Sequence, residues 1–196
     1  MQEDPTIGAM GAVYMRERPR MPNVAIPHPR YPEELCHVVF GFPNEPVDVG
    51  AIGTGFMLLR VSALSALHDA EDADGAPPLF SFPMRKTRWG LVNASGEDYD
   101  FCRRLRGIGY RVVADPRYRT SHMKDCGPLV YDRAGWERTW TPGTPGFEHT
   151  AREMRESCPP AIRMEQVGNF TVLDHVPQME LHAKAWRERQ KKQEAA

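Results

Sequence analysis

Hydrophobic and polar positions follow a helical period most clearly just after residue 96. Five positions recur at spacings of i, i+3, i+4, i+7 and i+10: Asp98, Phe101, Cys102, Leu105 and Ile108. This spacing predicts one short helix whose buried stripe begins with an aspartate. Acidic residues fill its first turn and arginines its last turns, as the helix dipole favours. A carboxylate on the buried edge of a helix N-terminus is unusual, so Asp98 is the first candidate for a functional residue.

The other polar residues of this helix fit a structural role. Ser95 and Gly96 are residue types that begin helices. Asp100 precedes Arg103 and Arg104 by three and four positions, the spacing of solvent-exposed ion pairs worth about 0.2–0.5 kcal/mol each. The pattern therefore predicts that Asp100 is solvated and structural.

Runs of β-branched, aromatic and small apolar residues predict strands on both sides of the helix. Residues 6–15 predict a core strand, and residues 110–114 predict a second strand. Asp115 and Pro116 then predict a turn, followed by a short extended segment at 118–122. Residues 47–59 are rich in glycine and predict a central strand whose glycines let another backbone or a ligand approach closely.

Prolines dominate residues 16–46, which contain seven of them. Proline breaks helices and cannot donate a hydrogen bond within a central strand. The segment is therefore predicted to run over the surface in an extended form, with a single strand candidate at 36–40. No chemistry is assigned to it.

Two further helices complete the predicted elements. Residues 60–67 predict a short amphipathic helix with Val61, Leu64 and Leu67 on one stripe, and residues 178–193 predict a longer helix with a charged outer face. Between the last predicted strand and this C-terminal helix the pattern weakens, so this part is predicted to be rich in loops.

Composition excludes some partners. The chain has 196 residues and a formal net charge of −1, so it exerts no long-range attraction on nucleic acid or anionic membranes. It has neither an apolar run near the roughly 18 residues of a membrane span nor a secretory leader pattern, and a cytoplasmic location is expected. The four cysteines lie far apart and are predicted to be free thiols, with Cys102 buried as a small hydrophobe.

Four blocks of residues resemble a known family in their order and spacing. They are residues 54–60, 96–104, 109–116 and His122. Together they resemble the second half of a nucleotide-sugar-dependent glycosyltransferase of the GT-A fold, in the large bacterial and phage group similar to family 2. The resemblance extends over roughly residues 5–123. It implies an α/β fold with a mixed sheet and flanking helices at 1–123, followed by a loop-rich extension at 124–196 that ends in a helix.

The resemblance also implies catalytic and metal-binding residues. In the family, the second carboxylate of the Glu-Asp pair, here Glu97 and Asp98, is the usual general base on the acceptor hydroxyl. The histidine after the last strand, here His122, often completes the site of the metal and diphosphate. The resemblance therefore implies a glycosyltransferase that uses Mn²⁺ or Mg²⁺, a nucleotide-sugar donor and an unknown acceptor. An N-terminal cap carboxylate is the alternative role of Asp98.

Substrate contacts are expected in the segments beside the Glu-Asp pair. Thr54 and Gly55 open the first block, and Trp89 lies in the stretch that borders the acceptor pocket of the family. Trp89 can stack on a sugar ring, although a place in the core fits its sequence position equally well.

The chain also departs from the family pattern. The nucleotide-binding half and the Asp-x-Asp motif that holds the metal are missing, which leaves three alternatives open. The chain can be one half of a split enzyme with an exposed apolar sheet edge at 6–15, a non-catalytic binding or assembly module, or a product that starts internally at Met1. An unpaired sheet edge would favour a partner chain or a homo-oligomer.

Overall fold

The computed structural model describes most of the first two thirds of the chain and its C-terminal part. The described residues are 3–14, 22–72, 79–80, 84–87, 90–93, 96–118, 120–124, 127–130 and 163–194. Within them, strands form two larger sheets and two hairpins, with three α-helices. The α/β fold class expected from the sequence is confirmed at this level.

The first sheet has four strands and contains both parallel and antiparallel pairs. The strands are β1 (Ile7–Ala12), β4 (Val47–Val49), β6 (Met57–Leu59) and β9 (Arg111–Asp115). Their order in the sheet is β4-β9-β1-β6. Strands β1 and β9 run parallel, and the other pairs are antiparallel. The predicted strands at 6–15 and 110–114 are therefore confirmed, and so is the mixed character of the sheet.

Strand β1 lies in the interior of this sheet. Met10 is paired with Leu58 of β6 on one side and with Val113 of β9 on the other. Ala9 and Ala12 are completely buried. The exposed apolar edge expected at 6–15 for one half of a split enzyme is therefore wrong, because both edges of this strand are hydrogen-bonded.

The second sheet has five antiparallel strands. They are β2 (Val24–Pro27), β3 (Leu35–Phe40), β5 (Ala51–Ile52), β12 (Arg163–Val167) and β13 (Phe170–Asp174). Their order in the sheet is β12-β13-β3-β2-β5. The pairing of β13 with β3 joins a part of the predicted C-terminal extension to the first half of the chain.

The proline-rich segment contributes to the core, so the predicted surface excursion is wrong. Val24, Ala25 and Val38 are completely buried in it. The prolines are compatible with strands because they fall before β2, at its last residue, Pro27, or in the connections on either side of β3. The number of prolines alone therefore gave the wrong prediction for this segment, because its prolines lie at strand ends or in connections.

The single central strand predicted at 47–59 is also wrong, because the chain changes sheets at Gly50. Strand β4 precedes this glycine in the first sheet, and β5 follows it in the second. The N–H of Gly50 donates to the Ala25 carbonyl at 2.8 Å, and a Cβ on Gly50 would lie 3.0 Å from the Pro27 nitrogen. The predicted close approach of another backbone is therefore confirmed at this glycine.

The three helices are α1 (Val61–Asp72), α2 (Glu97–Gly107) and α3 (Val176–Glu194). Helix α2 packs against β5 and β9, with Phe101 and Leu105 completely buried. Among the described side chains of α1, Ala63 and Leu67 are buried, whereas Val61 is 76% exposed, so the predicted stripe is wrong at Val61. All three predicted helices are confirmed, and none of the described helices is long and apolar enough to cross a membrane.

The predicted solvent exposure of the Asp100 ion pairs is wrong. Its side chain is 1% exposed and forms ion pairs with Arg103 at 2.5 Å and Arg104 at 3.0 Å. The segment 79–80 covers this side of α2, since Arg104 donates to the Leu79 carbonyl and the ring of residue 80 packs against α2. The spacing predicted the partners correctly, but only the tertiary structure buries them.

Two hairpins complete the described residues. Strands β7 (Met84–Thr87) and β8 (Gly90–Asn93) form one, and β10 (Ser121–Lys124) and β11 (Gly127–Val130) form the other. Strand β10 overlaps the extended segment predicted at 118–122.

Candidate functional site

Asp98 lies in the first turn of α2, and the residue that precedes this helix has a backbone conformation that favours glycine. Gly96 is the N-cap residue and has a φ of 111°, a value that side chains other than hydrogen rarely allow. The backbone N–H of Tyr99 donates to Oδ1 of Asp98 at 2.8 Å, and the backbone N–H of Thr54 acts on this carboxylate by lowering its pKa. The carboxylate is therefore held by the helix N-terminus and lies beside the turn that contains Thr54.

The half-buried position of Asp98 changes its acidity. Burial raises the pKa of Asp98 above its ordinary value, and the neighbouring negative charge of Glu97 acts in the same direction. The N–H donors of Tyr99 and Thr54 oppose this rise in pKa but do not cancel it. Asp98 is thus a stronger base than an exposed aspartate, as its place on the apolar stripe suggested.

A short 3₁₀ turn, Thr54–Phe56, stands beside this carboxylate, next to Tyr14. The N–H of Gly55 donates to the Tyr14 hydroxyl at 3.1 Å. A Cβ on Gly53 would collide with that hydroxyl and would lie 3.3 Å from Oδ2 of Asp98. A Cβ on Gly55 would lie 2.7–2.9 Å from the atoms of the Tyr14 phenol. The absence of side chains at the two glycines therefore lets the turn approach both residues.

The structure brings several of the predicted site residues together. Thr54 and Gly55 are exposed, the half-buried Asp98 lies beside the turn that they belong to, and Glu97 precedes Asp98 in the first turn of α2. Such a site offers an incoming hydroxyl group a basic carboxylate beside an accessible backbone turn. Trp89 lies outside the described residues. His122 is in β10, but its side chain is outside the described part, so the predicted metal ligand remains a prediction.

A second group of chemically active side chains lies inside the second sheet, and sequence reasoning missed it. His28, Cys36 and Asp174 are each 1% exposed, and their candidate ligand atoms lie within 4.8 Å of one another. Nε2 of His28 is 3.3 Å from Oδ1 of Asp174, whose Oδ2 forms an ion pair with Arg30 at 3.2 Å. No sequence spacing indicates this cluster, because its members come from distant segments of the chain.

Hydrogen bonding to His28 argues against a metal ion in this cluster. Nδ1 of His28 accepts the backbone N–H groups of Arg30 at 3.0 Å and Tyr31 at 3.2 Å. A nitrogen that accepts carries no proton, so the neutral ring has its proton on Nε2, which faces Asp174. Metal-binding histidines usually show the opposite arrangement, with one nitrogen on the metal and the other donating its proton.

The composition of the cluster also differs from the site expected for Mn²⁺ or Mg²⁺. These ions prefer several oxygen ligands, whereas this group offers one carboxylate, a thiol and an imidazole. Asp174 has another role, because its Oδ1 accepts the backbone N–H of Val176 at 2.8 Å and so caps α3. The cluster fits a structural junction between the 28–31 turn and helix α3.

The two buried cysteines are expected to resist alkylation in the folded protein. Burial raises the pKa of both Cys36 and Cys102 to about 12, so neither forms the reactive thiolate at neutral pH. Mass spectrometry after brief iodoacetamide treatment at pH 7.5 should find both unmodified, and both modified after unfolding in urea. Rapid labelling of Cys36 under native conditions would show that the cluster opens.

Comparisons of the chain with protein-family models, with curated proteins and with solved structures give no match. The local chemistry around Asp98 is therefore the basis for a functional proposal.

Proposed function

We propose that this protein acts as a glycosyltransferase, moving a sugar from a nucleotide-sugar donor to a hydroxyl group of an acceptor. The observation that carries the proposal is Asp98, a half-buried carboxylate of raised pKa beside the exposed turn at Thr54 and Gly55. The resemblance of the surrounding blocks to a GT-A glycosyltransferase supports the same residue as the base.

The proposed step needs only one proton transfer at Asp98. The acceptor oxygen attacks the anomeric carbon of the donor, and its proton passes to the Asp98 carboxylate. The bond between the anomeric carbon and the diphosphate oxygen breaks, and the nucleoside diphosphate leaves with the electron pair. A raised pKa favours this role, because a base works best when its pKa is close to the working pH.

Neighbouring groups in the proposed site have distinct effects on this base. The N–H of Tyr99 donates to the carboxylate, and the backbone N–H of Thr54 lowers its pKa. Glu97 raises the proton affinity of Asp98 through its charge, without a described contact to it. No step is assigned to Mn²⁺ or Mg²⁺, since the described side chains do not form a site that suits either ion.

An exposed apolar surface near the turn favours a second candidate function, that of a subunit or an assembly module. Phe56, Leu58 and Val61 are 44%, 54% and 76% exposed, and β6 is the end strand of the first sheet among the described strands. Exposed apolar residues on or next to the edge strand of a sheet are typical of surfaces that bind another chain. In this case the donor-binding half would come from a partner, and the chain would bind nucleotide sugars poorly alone.

Calorimetric titration of the purified chain with UDP- and GDP-sugars, with and without Mn²⁺, tests the proposal. We expect saturable binding of one of the donors, on the order of micromolar. Free UDP and GDP are the controls that separate recognition of the sugar from recognition of the nucleotide. Complete absence of binding would reject an independent transferase and favour the subunit, for which cross-linking would be the next experiment.

A further inference from the structure

A buried hydrogen-bond network joins the end of β1 to the turn beside Asp98. Asn23 is 1% exposed, its Oδ1 accepts the Tyr14 N–H at 2.8 Å, and its own N–H donates to the Tyr14 carbonyl at 2.9 Å. The carbonyl of Asn23 in turn accepts the N–H of Gly53 at 2.9 Å. Tyr14 and Gly53 are thus fixed to the same asparagine.

Tyr14 also contacts the turn through its side chain. This residue is only 6% exposed, its ring packs against Gly55, and its hydroxyl oxygen accepts the Gly55 N–H at 3.1 Å. Gly53 is held from one side by Asn23 and Gly55 from the other side by Tyr14. The residue between them is Thr54, whose backbone N–H lowers the pKa of Asp98.

We propose that Tyr14 is a positioning residue for Asp98, acting through the turn at Gly53, Thr54 and Gly55 that lies beside the carboxylate. The inference rests on the proposed role of Asp98 as the base of the reaction. A purely structural tyrosine would stabilise the fold without affecting the state of that carboxylate. The geometry points to more, because the turn that Tyr14 and Asn23 hold at its two glycines lies against the carboxylate, where a Cβ on Gly53 would be 3.3 Å from Oδ2 of Asp98.

Other groups near Asp98 are not expected to depend on Tyr14. Glu97 precedes Asp98 on α2, and the Cys102 thiol is influenced by the charge of Asp98. The Tyr99 N–H belongs to the helix itself. Loss of the Tyr14 hydroxyl should therefore weaken one donor, the Thr54 N–H, and leave the other groups in place.

The test is a ¹³C NMR pH titration of the side-chain carboxyl groups in wild type and in Tyr14→Phe. Phenylalanine keeps the ring against Gly55 and removes only the hydroxyl. We expect the pKa of Asp98 to rise in this variant, because a donor that stabilises its anion is weakened. Tyr118→Phe is the matched control, since it removes a phenol hydroxyl from a side chain that is 55% exposed.

Activity gives the second measurement. If the chain transfers sugar, Tyr14→Phe should lower kcat by about 10–100-fold with little change in KM, since misplacement of a reacting group by about 1 Å costs that much. The pKa on the acidic limb of its pH–rate profile should rise together with the pKa of Asp98 from the NMR titration. A folded Tyr14→Phe variant with an unchanged Asp98 titration would overturn the inference.

A measurement on wild type alone covers the case in which Tyr14→Phe does not fold. The amide proton shifts of Thr54 and Gly55 are expected to follow the titration of Asp98 with the same midpoint. Amide shifts that ignore this titration would overturn the inference even if the protein is active. Conversely, coupled shifts in an inactive protein would uphold the positioning role and reject only the proposed reaction.

Discussion

Replacing Asp98 with asparagine is expected to lower the rate of sugar transfer by about 10²–10⁴-fold, the usual contribution of a positioned general base. Asparagine has nearly the same size and keeps an acceptor oxygen for the Tyr99 N–H, but its amide cannot take up the proton of the acceptor. Release of nucleoside diphosphate from a saturating donor measures the effect. The KM for the donor should change little, because the base acts on the acceptor.

The pH dependence of the wild type follows from the direction of the pKa shift. Asp98 must be ionised to act as a base, so transfer should fall as the pH decreases through its raised pKa. The raised pKa of Asp98 has the opposite effect on the stability of the fold, which it favours at low pH. The folded state binds this proton more tightly than the unfolded state, so the stabilisation is complete below the unfolded-state pKa and is lost as pH rises through the folded-state pKa. At pH 7, Asp98→Asn should therefore be at least as stable as wild type.

Glu97→Gln is the matched control for this substitution. Glu97 lies on the same turn and is also partly exposed, but the described contacts give it no direct role at the turn of Thr54. Removing its charge should lower the pKa of Asp98 and reduce transfer by less than about tenfold. Equal losses in both variants would assign the base to the pair. No loss in Asp98→Asn, in a chain that transfers sugar, would remove Asp98 from the mechanism.

Local signals were sufficient for the elements around the candidate site. The sequence of helix α2 contains local signals for a helix, with a glycine at the N-cap, acids in the first turn and a regular apolar stripe. Strand β9 follows it as a short β-branched run, and helix α3 begins close to where its pattern predicted. These features depend on interactions between residues a few positions apart, so the sequence contains the information directly.

Long-range contacts explain the parts that the sequence did not reveal. The pairing of β13 with β3 buries Val38 and Val172, but neither strand indicates its partner. Asp100 has the spacing of an exposed ion pair, but the folded chain buries it, and one of its partners, Arg104, also binds the Leu79 carbonyl. Tyr14 and Asn23 follow no period, since their importance comes from hydrogen bonds to distant backbone groups.

The largest effect on stability is expected from Asp174→Ala, at about 2–4 kcal/mol of unfolding free energy. Loss of the hydrogen bond to the Val176 N–H costs about 1 kcal/mol, and removal of the buried carboxylate that lies 3.3 Å from Nε2 of His28 adds about 1–3 kcal/mol. The ion pair with Arg30 contributes less, because the arginine is 58% exposed and well solvated. Urea unfolding followed by circular dichroism measures the change.

Two further variants separate these contributions. Asp174→Asn keeps a good capping residue, so it should lose less than Asp174→Ala, and the difference reports the cap. Glu165→Gln removes the other acid near Arg30, at 3.5 Å on the surface, and should cost under about 1 kcal/mol.

Addition of Zn²⁺ tests the tautomer of His28. If Nε2 carries the proton, added Zn²⁺ should not raise the unfolding midpoint of wild type. A rise that Asp174→Ala abolishes would show that the cluster binds metal and that the backbone N–H groups do not fix the ring as described.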